Sequence, residues 1–310
     1  MRRHRKRARP KLKLKGVAAE VTDSILDAIQ RSPSPWQMPW HTGADRTLQL
    51  PRSIAGRRYS GINVLSLWAS ARRFGFSDPT WATEECWRKA GMRLLPAENA
   101  TTAIIYRERK TSATTGPIRF ARRLPLYNRH QVYGDQAKND PRPKAILIAI
   151  DELAQAAGAR IEIGSTGACY RPEHDDILLP HHARFRGSLD RTSEAFAAVL
   201  LHELVHWSGA PHRLNRDLTG RFGSSAYAME ELVAELGCAF LCAELGIASR
   251  PRPDHARYIS GWLRVLKNDN RAILVAASQA EKATRYLLRF RRLARQALKA
   301  SSLKEPVRRV

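Results

Sequence analysis

The chain has 310 residues, and 53 Lys and Arg against 29 Asp and Glu give it a formal net charge of +24. That length can bury more than one core, and a field of that sign draws polyanions, with nucleic acid the most economical candidate. Four cysteines speak against a disulfide scaffold, no apolar run approaches the roughly 18 residues of a membrane span, and the basic start, despite Arg2-Arg3, lacks the apolar stretch of a signal peptide. A cytoplasmic protein with no membrane partner is expected.

Residues 1–16 hold nine Lys or Arg and no acid, the composition of a disordered basic arm that adds phosphate affinity without sequence choice. The periodicity of Val21, Ile25, Leu26 and Ile29 predicts a helix over 18–30, ended by Pro33 and Pro35. Five of the seven tryptophans then fall before residue 90, interleaved with arginines. Cations that track a backbone and rings that stack on bases are what a single-strand binder needs. Trp36, Trp40, Arg57, Arg58, Tyr59, Asn63 and Trp81 are the candidate DNA contacts, with Tyr59 expected as an exposed ring. Trp68 and Trp87 are expected in the core. Residues 101–106 read as a strand, 107–123 as a basic loop, and 124–132 as the returning strand. The polar stretch 136–143 reads as a linker between a domain over 17–135 and a second over 144–300, leaving a basic tail at 301–310.

The second domain is predicted to open with a helix over 145–157, followed by short strands at 160–163, 168–170 and 176–179. Next comes His202-Glu203-Leu204-Val205-His206 after a continuously apolar run. On a helix, positions i and i+4 share a face, so both imidazoles can reach one ion, while Glu203 is placed to act as general base. Gly209 and Pro211 stop the helix. A third ligand is required. Glu231 and Glu235 lie on one stripe of the next apolar helix, where carboxylates are costly unless they are paired or bind metal. Glu231 is the preferred ligand, and Glu235 is read as an acceptor for a ligand histidine. His212 is the alternative, because residues 202–212 also spell H-E-x-x-H-x-x-G-x-x-H. Cys238 and Cys242 read as small buried apolar residues. Helices over 253–268 and 271–300 complete the chain, and nine basic residues against one acid in 284–310 offer a second phosphate-binding surface.

Over roughly residues 17–290 the chain resembles the ArdC-type antirestriction proteins, whose N-terminal module also occurs in plasmid primases. The likeness rests on Val21-Thr-Asp-Ser-Ile, the Pro-Trp pairs at 35–36 and 39–40, Tyr59-Ser-Gly-Ile-Asn-Val, Pro79-Thr-Trp-Ala-Thr and Tyr127-Asn-Arg-His-Gln. Further on it rests on Tyr170-Arg-Pro-Glu-His-Asp-Asp-Ile, His202-Glu-Leu-Val-His-Trp-Ser-Gly, Arg213-Leu-Asn-Arg and Glu230-Glu-Leu-Val-Ala-Glu. Departures are the Met92–Ala100 segment, where the family carries a Gly/Lys-rich turn, and Tyr127, where it carries Phe. The resemblance implies an α+β chain of two domains, an N-terminal single-stranded-DNA-binding module joined to a zincin-like metallopeptidase with one Zn2+ ion. It also implies a role in protecting the DNA of mobile elements from restriction, and it supports Glu231 over His212.

Two functions follow from these residues. In the first, the chain binds single-stranded DNA and its zinc centre hydrolyses a protein associated with that DNA, with Tyr170 expected to donate to an oxyanion if its strand borders the site. In the second, the metal is structural and the chain only coats the strand. An ordinary peptidase whose charge recruits acidic substrates is a weaker third.

Overall fold

From Glu231 to Ala243 every residue of one helix is buried, and the rest of the molecule is assembled around that helix. The structure is a computed structural model that describes residues 19, 22–23, 26–27, 49–109, 118–134, 146–185, 189–221, 223–247, 256–269 and 271–302. Of the helix expected over 18–30, Ala19, Thr22, Asp23, Leu26 and Asp27 are helical, and its other residues lie outside the described ones. The basic arm, the predicted linker, and Trp36 and Trp40 also lie outside them.

The N-terminal part runs β1 (Arg52–Ser53), α1 (Ile62–Phe74), β2 (Thr80–Ala82), α2 (Glu84–Lys89), β3 (Thr101–Arg109) and β4 (Ile118–Asn128). The sheet order is β1-β2-β4-β3, with β3 and β4 antiparallel in unbroken register from Thr101↔Leu126 to Arg109↔Ile118. This corrects the expected strand limits, since pairing continues through Arg107–Arg109 and begins again at Ile118 rather than at Leu124. Arg122 and Arg123 are consecutive and so point to opposite faces, yet both are exposed, so their charges ride on a paired backbone at no cost to burial. Helix α1 lies on this sheet through Leu67 and Ser70, and Asn63 pins it there. The Asn63 amide donates to the Ile104 carbonyl at 2.8 Å and accepts from the Ile104 N–H at 2.7 Å.

The C-terminal part runs α3 (Ile146–Ala157), β5 (Arg160–Ile163), β6 (Cys169–Arg171), β7 (Asp176–Leu179), α4 (Leu189–Trp207), α5 (Ser225–Leu245), α6 (Ala256–Asn268) and α7 (Ala272–Ser302). The predicted elements here agree to within a few residues. The sheet order is β5-β7-β6, with β5 parallel and β6 antiparallel to β7, so β6 is an edge strand beside α4. The central helix is α5. Its N-cap Ser224 accepts from the Tyr227 N–H, and left-handed Gly246 closes it by donating to the Cys242 carbonyl. Apolar all round, α5 needs cover on every side. Helix α7 provides one side through Ala276, Ala277, Ala280 and Ala283, small residues at helical spacing that allow close approach.

One apolar cluster crosses both parts, from Val64, Leu65 and Trp68 of α1 through Phe240 of α5 to Leu204 of α4. Trp68 meets Phe240 at 5.7 Å between ring centroids. Around this contact Arg58 pairs with Glu244, and the Gly61 N–H donates to Glu281 at 3.3 Å. Among the described residues no helix is long and apolar enough to cross a membrane.

Candidate metal centre

One turn of α4 separates His202 from His206, and their Nε2 atoms stand 3.1 Å apart. Glu231, reaching over from α5, places Oε2 at 3.5 Å from His202 Nε2 and Oε1 at 3.6 Å from His206 Nε2. Two ligands held about 2.0–2.1 Å from a tetrahedral ion stand roughly 3.3–3.4 Å apart, so these three side chains have the spacing of one shared cation. They are the metal-competent His/Cys/Asp/Glu group among the described residues, and all three donor atoms lie within 4.8 Å of one another. Two imidazoles and a carboxylate suit a divalent ion of the zinc or manganese kind.

The helices come this close because Gly237 of α5 faces Val205 of α4. A Cβ at 237 would stand 2.8 and 2.9 Å from the two Val205 methyls, well inside contact distance. The imidazoles are held from behind. His206 Nδ1 faces Glu230 Oε1 at 3.1 Å, which directs Nε2 toward Glu231. Glu230 is in turn gripped by Arg216, through Nε at 3.0 Å and Nη2 at 2.8 Å. The same guanidinium donates to the Val205 carbonyl at 2.6 Å and to Ser208 Oγ at 3.1 Å, so it also caps the end of α4, where a cation suits the helix dipole. Gly209 leaves room for it, as a Cβ there would meet Arg216 Nη2 at 2.8 Å. Burial disfavours a charged His206, but its bond to Glu230 and the charges of Glu231, Glu230 and Glu203 outweigh that and raise its pKa. Burial likewise pushes Glu230 up, and the bonds from His206 and Arg216 more than reverse it.

Glu203 is buried beside the two histidines and lines the same cleft of about 300 Å³. Its Oε2 accepts the backbone N–H of Tyr170 at 2.9 Å, so edge strand β6 fixes the carboxylate through its main chain. The Tyr170 hydroxyl points elsewhere, donating to Asp175 Oδ1 at 2.9 Å, which corrects its expected role as an oxyanion donor. Burial, then Asp175, pushes its pKa up to about 12. Arg213 completes this wall. It pairs with Asp175, donates to the Trp207 carbonyl at 2.6 Å, and lies 3.8 Å from the centre of the Trp207 ring.

Not every predicted site residue is found here. His212 is exposed on its side chain and faces Asp175 at 3.5 Å, so it does not join the cluster. Glu235 Oε2 stands 3.9 Å from His202 Nδ1, near it but beyond direct hydrogen-bond length. Cys238 and Cys242 are buried with Sγ atoms 3.9 Å apart. Glu230 and Arg216 were missed as functional groups, although Glu230 directly precedes the preferred ligand. Adjacent helix positions point about 100° apart, which is how one glutamate reaches the cation position and the other the far side of His206.

Among the described candidate DNA contacts, Trp81, Tyr59 and Asn63 need correction. Trp81 is 1% exposed, a core residue with no face to offer a base. Tyr59 is half-buried and donates its hydroxyl to the Trp81 carbonyl at 3.1 Å. Asn63 is occupied by the Ile104 backbone, and Arg58 by Glu244. Arg57 is exposed. Trp68 and Trp87 are buried, as expected.

Comparison with known proteins matches residues 15–142 to the N-terminal domain of anti-restriction factor ArdC and residues 148–279 to a zincin-like metallopeptidase. The protein y4eC of Sinorhizobium fredii is 38% identical over 274 residues, covering 84% of this chain and 88% of that one. DNA primase TraC of Escherichia coli is 31% identical over 294 residues, but the chain spans only 27% of its length. Crystal structures of the antirestriction protein ArdC from plasmid R388 superpose with TM-scores of 0.73 (metal-free) and 0.74 (Mn(II)-bound), at 30% identity. They cover 89% of this chain and 97% and 98% of theirs.

Proposed function

Because the chain belongs to the ArdC family of antirestriction proteins, we propose that it binds entering single-stranded DNA and cleaves a protein associated with that DNA. The observation that carries the peptidase half is the convergence of His202, His206 and Glu231 around one cation position, with Glu203 in the same cleft. His202, His206 and Glu231 would hold the ion, with zinc the expected metal. When bound, a divalent ion supplies Lewis acidity that polarises a water or a carbonyl oxygen. Glu203 then takes a proton from the attacking water and passes it to the leaving nitrogen, its orientation held by the Tyr170 N–H. Glu230 fixes the tautomer of His206 and Arg216 fixes Glu230, so neither has to touch the substrate.

The DNA half is supported by the match of residues 15–142, by the net charge, and by the nine cations of the N-terminal arm. Residues 17–135 and 144–300 are the proposed domains, and the cytoplasm is the proposed site of action. Glu203→Gln is the test. The variant should keep its metal, measured by elemental analysis, and lose both peptide hydrolysis and protection of incoming DNA. Full protection with metal retained would sink the catalytic half and leave a non-catalytic DNA coat.

A further inference from the structure

We propose that Phe74, Phe76 and His130 form a stacking step for the bases of single-stranded DNA, with Arg73 beside it for the phosphates. This rests on the single-strand reading above and gives it a location, because among the described rings first expected to stack Trp81 is buried and the Tyr59 hydroxyl is occupied. Three aromatic rings stand in series at the C-terminal end of α1. Phe74 and Phe76 are 5.6 Å apart with planes 27° from parallel, and Phe76 and His130 are 5.9 Å apart at 18°. Left-handed Gly75, φ 71°, closes α1 and turns the chain so that Phe76 returns beside Phe74.

The step is anchored from within. Phe76 meets the buried Trp81 edge-on at 5.8 Å. His130 Nε2 accepts the backbone N–H groups of Ser77 and Asp78, both at 3.3 Å, and the His130 N–H donates to Asn128 Oδ1 at 3.0 Å. Rings held this rigidly lose little freedom on binding. At the outer end Phe74 is 51% exposed, and the Arg73 guanidinium carbon lies 5.3 Å from its ring centre. No acidic residue occurs from Gly61 to Ser77, and nearby Asp78 is buried and accepts the Thr80 N–H. A flat apolar surface edged by a cation complements an unpaired base with its phosphate. A duplex, whose base faces are covered, has no use for it.

The test is binding of the full chain to a fluorescent oligothymidylate across a salt series, followed by anisotropy. Phe74→Ala should weaken binding about tenfold with an unchanged salt slope, and Phe74→Trp should restore it. Arg73→Gln should lower the slope by about one. An abasic oligonucleotide should bind wild type and Phe74→Ala equally. If wild type binds oligothymidylate and Phe74→Ala binds it just as well, or loses the abasic strand to the same degree, the stacking step is overturned. If wild type does not bind at all, the single-strand reading falls with it.

Discussion

A single added methyl at Gly237 should unseat the cation. Its carbon would lie 2.8 and 2.9 Å from the Val205 methyls, whereas carbons at rest sit about 3.5–4.0 Å apart, so α4 and α5 must part by roughly 0.7–1 Å. Overpacking of this kind costs about 1–3 kcal/mol, and the better helix propensity of Ala returns up to about 1 kcal/mol. Net destabilisation of Gly237→Ala should therefore be modest, about 0–2 kcal/mol. The metal site has less tolerance. Glu231 oxygens now 3.5 and 3.6 Å from the two imidazole nitrogens would move beyond about 4 Å, while ligands of one ion need roughly 3.3–3.4 Å. Affinity for Zn2+ or Mn2+, measured by competition with a chelating dye, should fall at least about tenfold, or ~1.4 kcal/mol. Adding Val205→Ala removes the obstructing methyls and should recover much of that loss. If Gly237→Ala binds metal like wild type, or if the two substitutions add to within about 0.5 kcal/mol, the close crossing does not set the site.

Glu230→Gln should keep the fold and lower metal affinity about 10–100-fold in the same titration, since it weakens the partner that orients His206. Arg216→Ala should cost about 1–3 kcal/mol in chemical denaturation, because it leaves the nearly buried Glu230 carboxylate with His206 as its remaining charged partner. Asn63→Ala should cost about 2–3 kcal/mol by leaving the Ile104 amide group unmet, with no change in the salt slope of DNA binding in the folded fraction. Arg213 holds the Asp175 carboxyl below the ordinary carboxylate range, against an opposing effect of burial. A depressed carboxyl stabilises the fold above its unfolded pKa, near 4, and the contribution disappears as pH falls through the folded value. The stability gap between wild type and Asp175→Asn should therefore be full at neutral pH and shrink below about pH 4, and a gap unchanged in strong acid would contradict the pairing.

The metal centre was legible because helical spacing does most of the placing. His202 and His206 need only the periodicity of one helix, and Glu231 stood out as a charge in a run with no other reason to carry one. The supporting groups were not legible. Arg216 sits in an irregular loop, and the room its guanidinium occupies depends on the missing Cβ of Gly209, which no local pattern announces. The N-terminal surface was misjudged for a different reason. Aromatic residues beside arginines look alike whether the ring faces inward or outward; the sheet turned Trp81 in and Tyr59 bonds to its carbonyl, while the turn at Gly75 left Phe74 out. Charge misled again at 107–109 and 118–123, where the expected loop is paired strand carrying arginines.

The apolar continuity from Trp68 to Phe240 limits how this molecule can be dissected. Severing the polypeptide between its two family-matched regions would strip cover from the very helix that carries Glu231. Fragments prepared that way would report on their own wounds, with lost metal and lost DNA affinity both arising from collapse. Function is better apportioned here by single side chains changed within the intact polypeptide.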